Sequence, residues 1–152
     1  MDVTRDLDFV RSVVVDTING TEIRHSELHG FGLFCSERTI KCDTQLCKLD
    51  GQVLSIDKYD EIENLIAEKI SSYKNYFFME CNYLSDGKLL VRSLRTKYSY
   101  INHSRMPNVT LKNDPLRIVT TRDIEVGDEI CIDYREEPLP KAYVNNPVKD
   151  FL

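Results

Sequence analysis

The chain has 152 residues, 41% of them hydrophobic and 30% charged. That length buries one core without help from disulfides or metals, and the balance, with no long apolar run, excludes a disordered or membrane-spanning chain. A formal charge of −5 disfavours general affinity for nucleic-acid phosphates and suits a basic partner, such as a lysine-bearing protein or basic peptide tail.

In chain order, the first six residues lack the basic, apolar and small-residue regions of a secretory signal, so the expectation is an intracellular protein, cytoplasmic or nuclear and not secreted. Residues 9–15 fit strand or helix, and their β-branched content tilts them toward strand. Short strands are predicted over residues 22–24, 32–35, 45–49, 52–54, 76–79, 89–92, 109–111, 117–120 and 129–133, each bounded by Gly, Asp, Asn, Ser or Pro. One helix interrupts them near residues 57–72, where Tyr59, Ile62, Leu65, Ile66 and Ile70 recur at helical spacing behind the candidate caps Ser55 and Asp57. After Tyr134, two prolines between residues 135 and 140 work against regular structure, while Tyr143, Val148, Phe151 and Leu152 carry apolar groups able to dock on the body. The whole reads as an irregular, mainly β framework, taken as one domain over 1–152 with its core near 22–134 and a tail over 135–152. Its five cysteines, Cys35, Cys42, Cys47, Cys81 and Cys131, are odd in number and contain no Cys-x-x-Cys pair. Buried free thiols, rather than disulfides or a zinc ribbon, are expected.

Three stretches carry the chemistry. His29-Gly30-Phe31-Gly32-Leu33-Phe34 sets two glycines around an aromatic residue at the start of a strand, where the missing Cβ lets backbone approach a ligand closely. By itself it also fits an ordinary tight turn, and it lacks the third glycine and the following helix of a dinucleotide site. Tyr100-Ile101-Asn102-His103-Ser104, followed by Pro107-Asn108, turns from apolar to polar at a strand end. The Asn102 amide offers donors and an acceptor suited to an amino-acid-like or purine ligand. The same residues match an N-glycosylation pattern, which needs a secretory signal, and a His-Ser hydrolase pair, for which no Gly-x-Ser-x-Gly elbow exists. The third stretch, residues 123–134, turns at Gly127 into an alternating strand ending on Asp133-Tyr134. A phenol there can orient a nucleophile, although core packing with one hydrogen bond is the commoner fate of a tyrosine.

In order and separation these stretches resemble the SET-domain family of protein lysine methyltransferases, over roughly residues 22–134. The resemblance implies a β-clip-like fold of small curved sheets with one helix and a C-terminal pseudoknot, a threading that is exceptional among folds. It implies S-adenosylmethionine as cofactor, with Gly30, Phe31, Gly32, Asn102 and His103 binding it. Tyr134 becomes the catalytic residue that orients a substrate lysine, and the step needs no metal. The chain departs from the family's pattern at several points. No cysteine follows Tyr134, and Arg105 stands where a cysteine often follows Asn-His-Ser, so a zinc-free tail using Tyr143 and Phe151 is expected to close the channel. Leu49 replaces a frequent tyrosine, and Ser99 a frequent arginine near which Arg95 and Lys97 lie. A catalytically silent module that binds the cofactor or a lysine peptide, and a β domain binding neither, are the alternatives.

Overall fold

The computed structural model describes residues 7–69, 80–93 and 95–152. The predicted strand at 76–79 and the last three residues of the predicted helix lie outside them. Among the described residues, three small sheets carry the architecture. The first runs β1-β2-β10-β7, built from β1 (Thr21–His25), β2 (Phe31–Cys35), β7 (Asn102–His103) and β10 (Glu129–Ile132). The second, β3-β9-β8, comprises β3 (Gln45–Lys48), β8 (Val109–Lys112) and β9 (Arg117–Thr120). The third, β4-β6-β5, joins β4 (Gln52–Ser55), β5 (Glu80–Tyr83) and β6 (Lys88–Arg92).

Their inner faces share one core, in which Leu33, Val109, Ile118, Ile124 and Ile130 are wholly buried. Buried residues alternate with less buried ones along β1 and β9, the period-two pattern by which a strand gives one face to the core. Cys35, Cys47 and Cys131 are buried free thiols, whereas Cys42 is exposed and Cys81 only partly covered.

The crossing implied by the resemblance lies in the first sheet. β10 slots between β2, which it meets antiparallel, and β7, which it meets in parallel, with Cys131 opposite Asn102 and Ile132 opposite His103. The loop after β7 then folds across β10. Ser104 N donates to the Ile132 carbonyl and Asn108 N to that of Cys131, while Cys131 N donates to Asn108 Oδ1. Buried Asn108 satisfies main-chain groups that the short β7 leaves unpaired, since a buried peptide group without a partner is costly.

The helix predicted near 57–72 is α2 (Ile56–Lys69), and Ser55 caps it by accepting from Lys58 N at 3.2 Å. The expectation of a strand at residues 9–15 is corrected. Residues Leu7–Val13 form a helix, α1, and only Val15 bridges to another segment, at Thr96. Val10 is 1% exposed, and Leu7 and Val14 also pack against the core. Residues three and four apart share a helix face, so burial of that face overrides a strand propensity worth at most about 1 kcal/mol. The expectation of one helix is corrected as well. Beyond α1 and α2, the segment after Tyr134 contains a 3-10 turn (Tyr134–Glu136), a short helix α3 (Lys141–Val144) and a second 3-10 turn (Pro147–Lys149).

Candidate active site

The two glycines of the first stretch serve different purposes. Gly30 sits at φ +47° with nothing within 4 Å of where a Cβ would stand, so it makes the left-handed turn into β2 and leaves its outer side open. Gly32 sits against β10, where a Cβ would fall 2.1 Å from Glu129 Oε1 and 3.1 Å from Asn102 Nδ2. Any larger residue there would have to push the Glu129 carboxylate off its hydrogen bonds to Asn102 and Ser26.

Those side chains join the first two stretches. Asn102 Nδ2 donates to the main-chain oxygens of His29 (3.2 Å) and Phe31 (3.1 Å) and to Glu129 Oε1 (2.8 Å). Glu129 also accepts from Ser26 Oγ, whose oxygen in turn accepts from Leu28 N. Three acceptors around Nδ2 fix the amide's orientation, and among the described bonds none engages Asn102 Oδ1. Glu129 is the hub of this junction, yet the sequence pointed to Asn102 and the glycines and not to it. The available signal was its place at the start of an alternating strand pairing with β2.

The second and third stretches meet through one imidazole. His103 Nδ1 accepts from Tyr134 N at 3.0 Å and lies 3.7 Å from Asp133 Oδ1. The Tyr134 ring sits 5.2 Å from that of His103, and its hydroxyl donates to the Ile101 carbonyl at 3.0 Å. Burial pushes the Tyr134 phenol up to about 12, so it stays protonated. Asp133 caps the turn after it and is held down to about 2, chiefly by its hydrogen bonds with Arg135.

Tyr134 also borders a cavity of about 280 Å³, whose apolar wall includes Tyr83, Ile101, Leu111, Ile132, Leu139 and Tyr143. Glu137 closes its floor, accepting from Asn82 Nδ2, Tyr98 Oη and Tyr83 N. Burial, then the Glu137 carboxylate, drives the Tyr98 phenol well above its usual range, and Tyr98 is a proton donor at any ordinary pH. Behind it, Asn82 Oδ1 accepts from Arg92, and buried Glu80 binds Arg92, Thr96 and Ser99.

The SET-domain family model matches residues 30–135, most of the chain. The chain belongs to the SET-domain family. The members of this family are typically lysine methyltransferases that use S-adenosylmethionine. Among solved structures, CpSET8 from Cryptosporidium is similar in fold, with a TM-score of 0.50 at 23% identity. That likeness covers 75% of this chain and 56% of the other, so this chain spans little more than half the length of that relative. No curated protein matches the sequence.

In this SET domain all six residues singled out in the sequence converge. Phe31 and Gly32 meet Asn102 directly, Gly30 makes the turn between the two carbonyls that Asn102 binds, and His103 meets Tyr134. Of the tail residues expected to dock, Tyr143 meets Tyr83 edge-on at 6.0 Å and Phe151 meets Tyr134 at 6.4 Å, but Val148 is 77% exposed. Leu49 is buried in the core, away from the cavity wall, where Tyr83 and Tyr98 bring phenols instead. At Ser99 the hydroxyl binds Glu80, and the guanidinium that pairs with Glu80 belongs to Arg92. Arg95 binds Tyr100 Oη, and Lys97 caps the carbonyls of Ile18 and Thr21.

Proposed function

We propose that this SET domain transfers a methyl group from S-adenosylmethionine to a lysine side chain of another protein. The single observation that carries the reading is the convergence of the Gly30–Gly32 turn, Asn102-His103 and Tyr134 beside an apolar cavity.

The residues present fit the cofactor. The open side of Gly30, main-chain groups of the turn and the unengaged Asn102 Oδ1 form a small, polar, side-chain-poor surface suited to an amino-acid moiety and a positive centre. Gly30, Phe31, Gly32, Asn102 and His103 would hold it there. When bound it supplies a methyl group on a positively charged sulfur, open to attack by an amine.

The chain's own residues then prepare the nucleophile. A lysine amine carries its proton up to about pH 10.4 in water. Apolar walls from Ile101, Leu111, Ile132 and Leu139 disfavour the charged form by desolvation. The Tyr134 hydroxyl donates its hydrogen bond to the Ile101 carbonyl, so its oxygen is left to accept from an amine N–H and aim the lone pair. With a phenol pKa of about 12, Tyr134 orients and does not act as a base. The Glu137 carboxylate favours entry of a cationic side chain, and its three donors keep it from capturing that side chain permanently. The residues after Tyr134 close the site, and the five unpaired thiols suit a reducing compartment, cytoplasm or nucleus.

Labelled cofactor incubated with lysine-bearing proteins tests the reading, with acid-stable label on lysine as the expected result. Tyr134→Phe should lower transfer by about tenfold or more while leaving cofactor binding by calorimetry intact. Full transfer by Tyr134→Phe would remove Tyr134 from the reaction. Binding without transfer to any peptide of a broad array would make the chain a cofactor-binding module instead.

A further inference from the structure

The segment after Tyr134 makes little regular structure of its own, since α3 has only four residues and so short a helix does not sustain itself. Its far end is nevertheless held in place. The main-chain oxygen of Leu152 accepts from Arg105 Nε at 2.7 Å and lies 3.3 Å from His103 Nε2. Because His103 Nδ1 accepts from Tyr134 N, the proton of the neutral ring belongs on Nε2, which makes the second contact a donated hydrogen bond. One imidazole is thus bonded on one side to residue 152 and on the other to Tyr134. Phe151 is carried by the same anchor and sets its ring edge-on to both His103 (6.1 Å) and Tyr134 (6.4 Å, 87° between planes). Lys149 Nζ lies over the rings of Tyr143 (4.7 Å) and Phe151 (5.9 Å). The anchor ties the part of the chain matched by the family model to residues beyond it.

We propose that Arg105 is a positioning residue: together with His103 it clasps the main chain at Leu152, seats Phe151 against Tyr134 and thereby fixes the phenol for transfer. The clasp needs no metal and no long helix, because a guanidinium N–H on a main-chain oxygen is a directional, charge-assisted bond. Lysine is a weaker substitute, as it offers one ammonium point charge in place of the planar fork. Arg105 itself is exposed, so replacing it leaves the core untouched.

The proposal rests on the methyl-transfer reading, but its test has readouts that do not depend on activity. In Arg105→Ala, amide hydrogen exchange over residues 147–152 should rise and the NMR signal of a 13C-labelled Tyr134 ring should broaden or shift, with Arg105→Lys intermediate. The transfer kcat should fall about tenfold or more, while KM for the cofactor changes little. Faster exchange in the tail with an unchanged Tyr134 signal and kcat overturns the positioning role. Unchanged exchange overturns the clasp. If the wild-type protein transfers no methyl at all, the functional reading fails, and the exchange and ring signals still decide whether Arg105 holds Tyr134.

Discussion

The junction around Asn102 and the cavity floored by Glu137, which Tyr134 borders, are built in different ways. The junction is assembled from adjoining strands of one sheet, with Gly32, Asn102 and Glu129 packed so closely that an added methyl group must displace the Glu129 carboxylate. The cavity draws its wall from β5, Leu111 of β8, Ile132 of β10, the 97–101 segment and the residues after Tyr134, and it is held by side-chain bonds between segments far apart in sequence. A sheet supplies a rigid, inherited geometry, whereas the part of a wall that a tail supplies can be rebuilt without disturbing the core. On the proposed reading, the first would serve an invariant cofactor and the second a substrate that varies.

Substitutions that separate the two sides can break this contrast. The largest effect is expected from Gly32→Ala, whose Cβ must push the Glu129 carboxylate away from Asn102 and Ser26. It should cost about 3 kcal/mol in thermal denaturation and remove cofactor binding in calorimetry. Retained affinity would mean that the junction is not the cofactor side. Next comes Glu137→Ala, which removes the acceptor of the Tyr98 hydroxyl and one of the two acceptors of the buried Asn82 amide. A loss of about 2 kcal/mol is expected, with KM for the protein substrate raised and cofactor affinity little changed. Equal loss of both affinities would show that the two sides are one unit.

The smallest effects concern pH. The Asp133 carboxyl titrates at about 2 in the folded protein and near 3.9 in an unfolded chain. Its stabilisation is therefore present above pH about 4 and lost as pH falls toward 2, and Asp133→Asn should flatten that acid limb. Because Arg135 is half exposed, salt should flatten it too. Tyr134 has the opposite sign. Its folded value of about 12 exceeds the usual 10, so its contribution is present below pH 10 and fades as pH rises through 12. The rate of transfer should show no Tyr134 ionisation between pH 7 and 10; an inflection that vanishes in Tyr134→Phe would make the tyrosine a base.

The two sides also differed in how far they could be read from the sequence. Glycines flanking Phe31, the polar turn at Asn102-His103 and Tyr134 at a strand end are local patterns, and all of them fall at one place in the fold. Strand β5 was not anticipated, because its buried face carries Glu80 and Asn82 in place of apolar residues. Its residues alternate, but with the polar pair facing inward, the reverse of the usual hydrophobic-in pattern. The β-branched run of α1 misled for a related reason, as the core it faces lies in other elements.

Turn residues, helical spacing and capping act over a few neighbours, and so Gly30, Ser55 and the period of α2 could be recognised from the amino-acid order. A polar side chain takes as its partner whatever the chain brings within hydrogen-bond reach. Asn82 is answered by Glu137, 55 positions away, and Arg105 by Leu152, 47 positions away. Those pairings, and with them the shape of the cavity and the seating of Phe151 on Tyr134, exist only once the sheets have closed around β10.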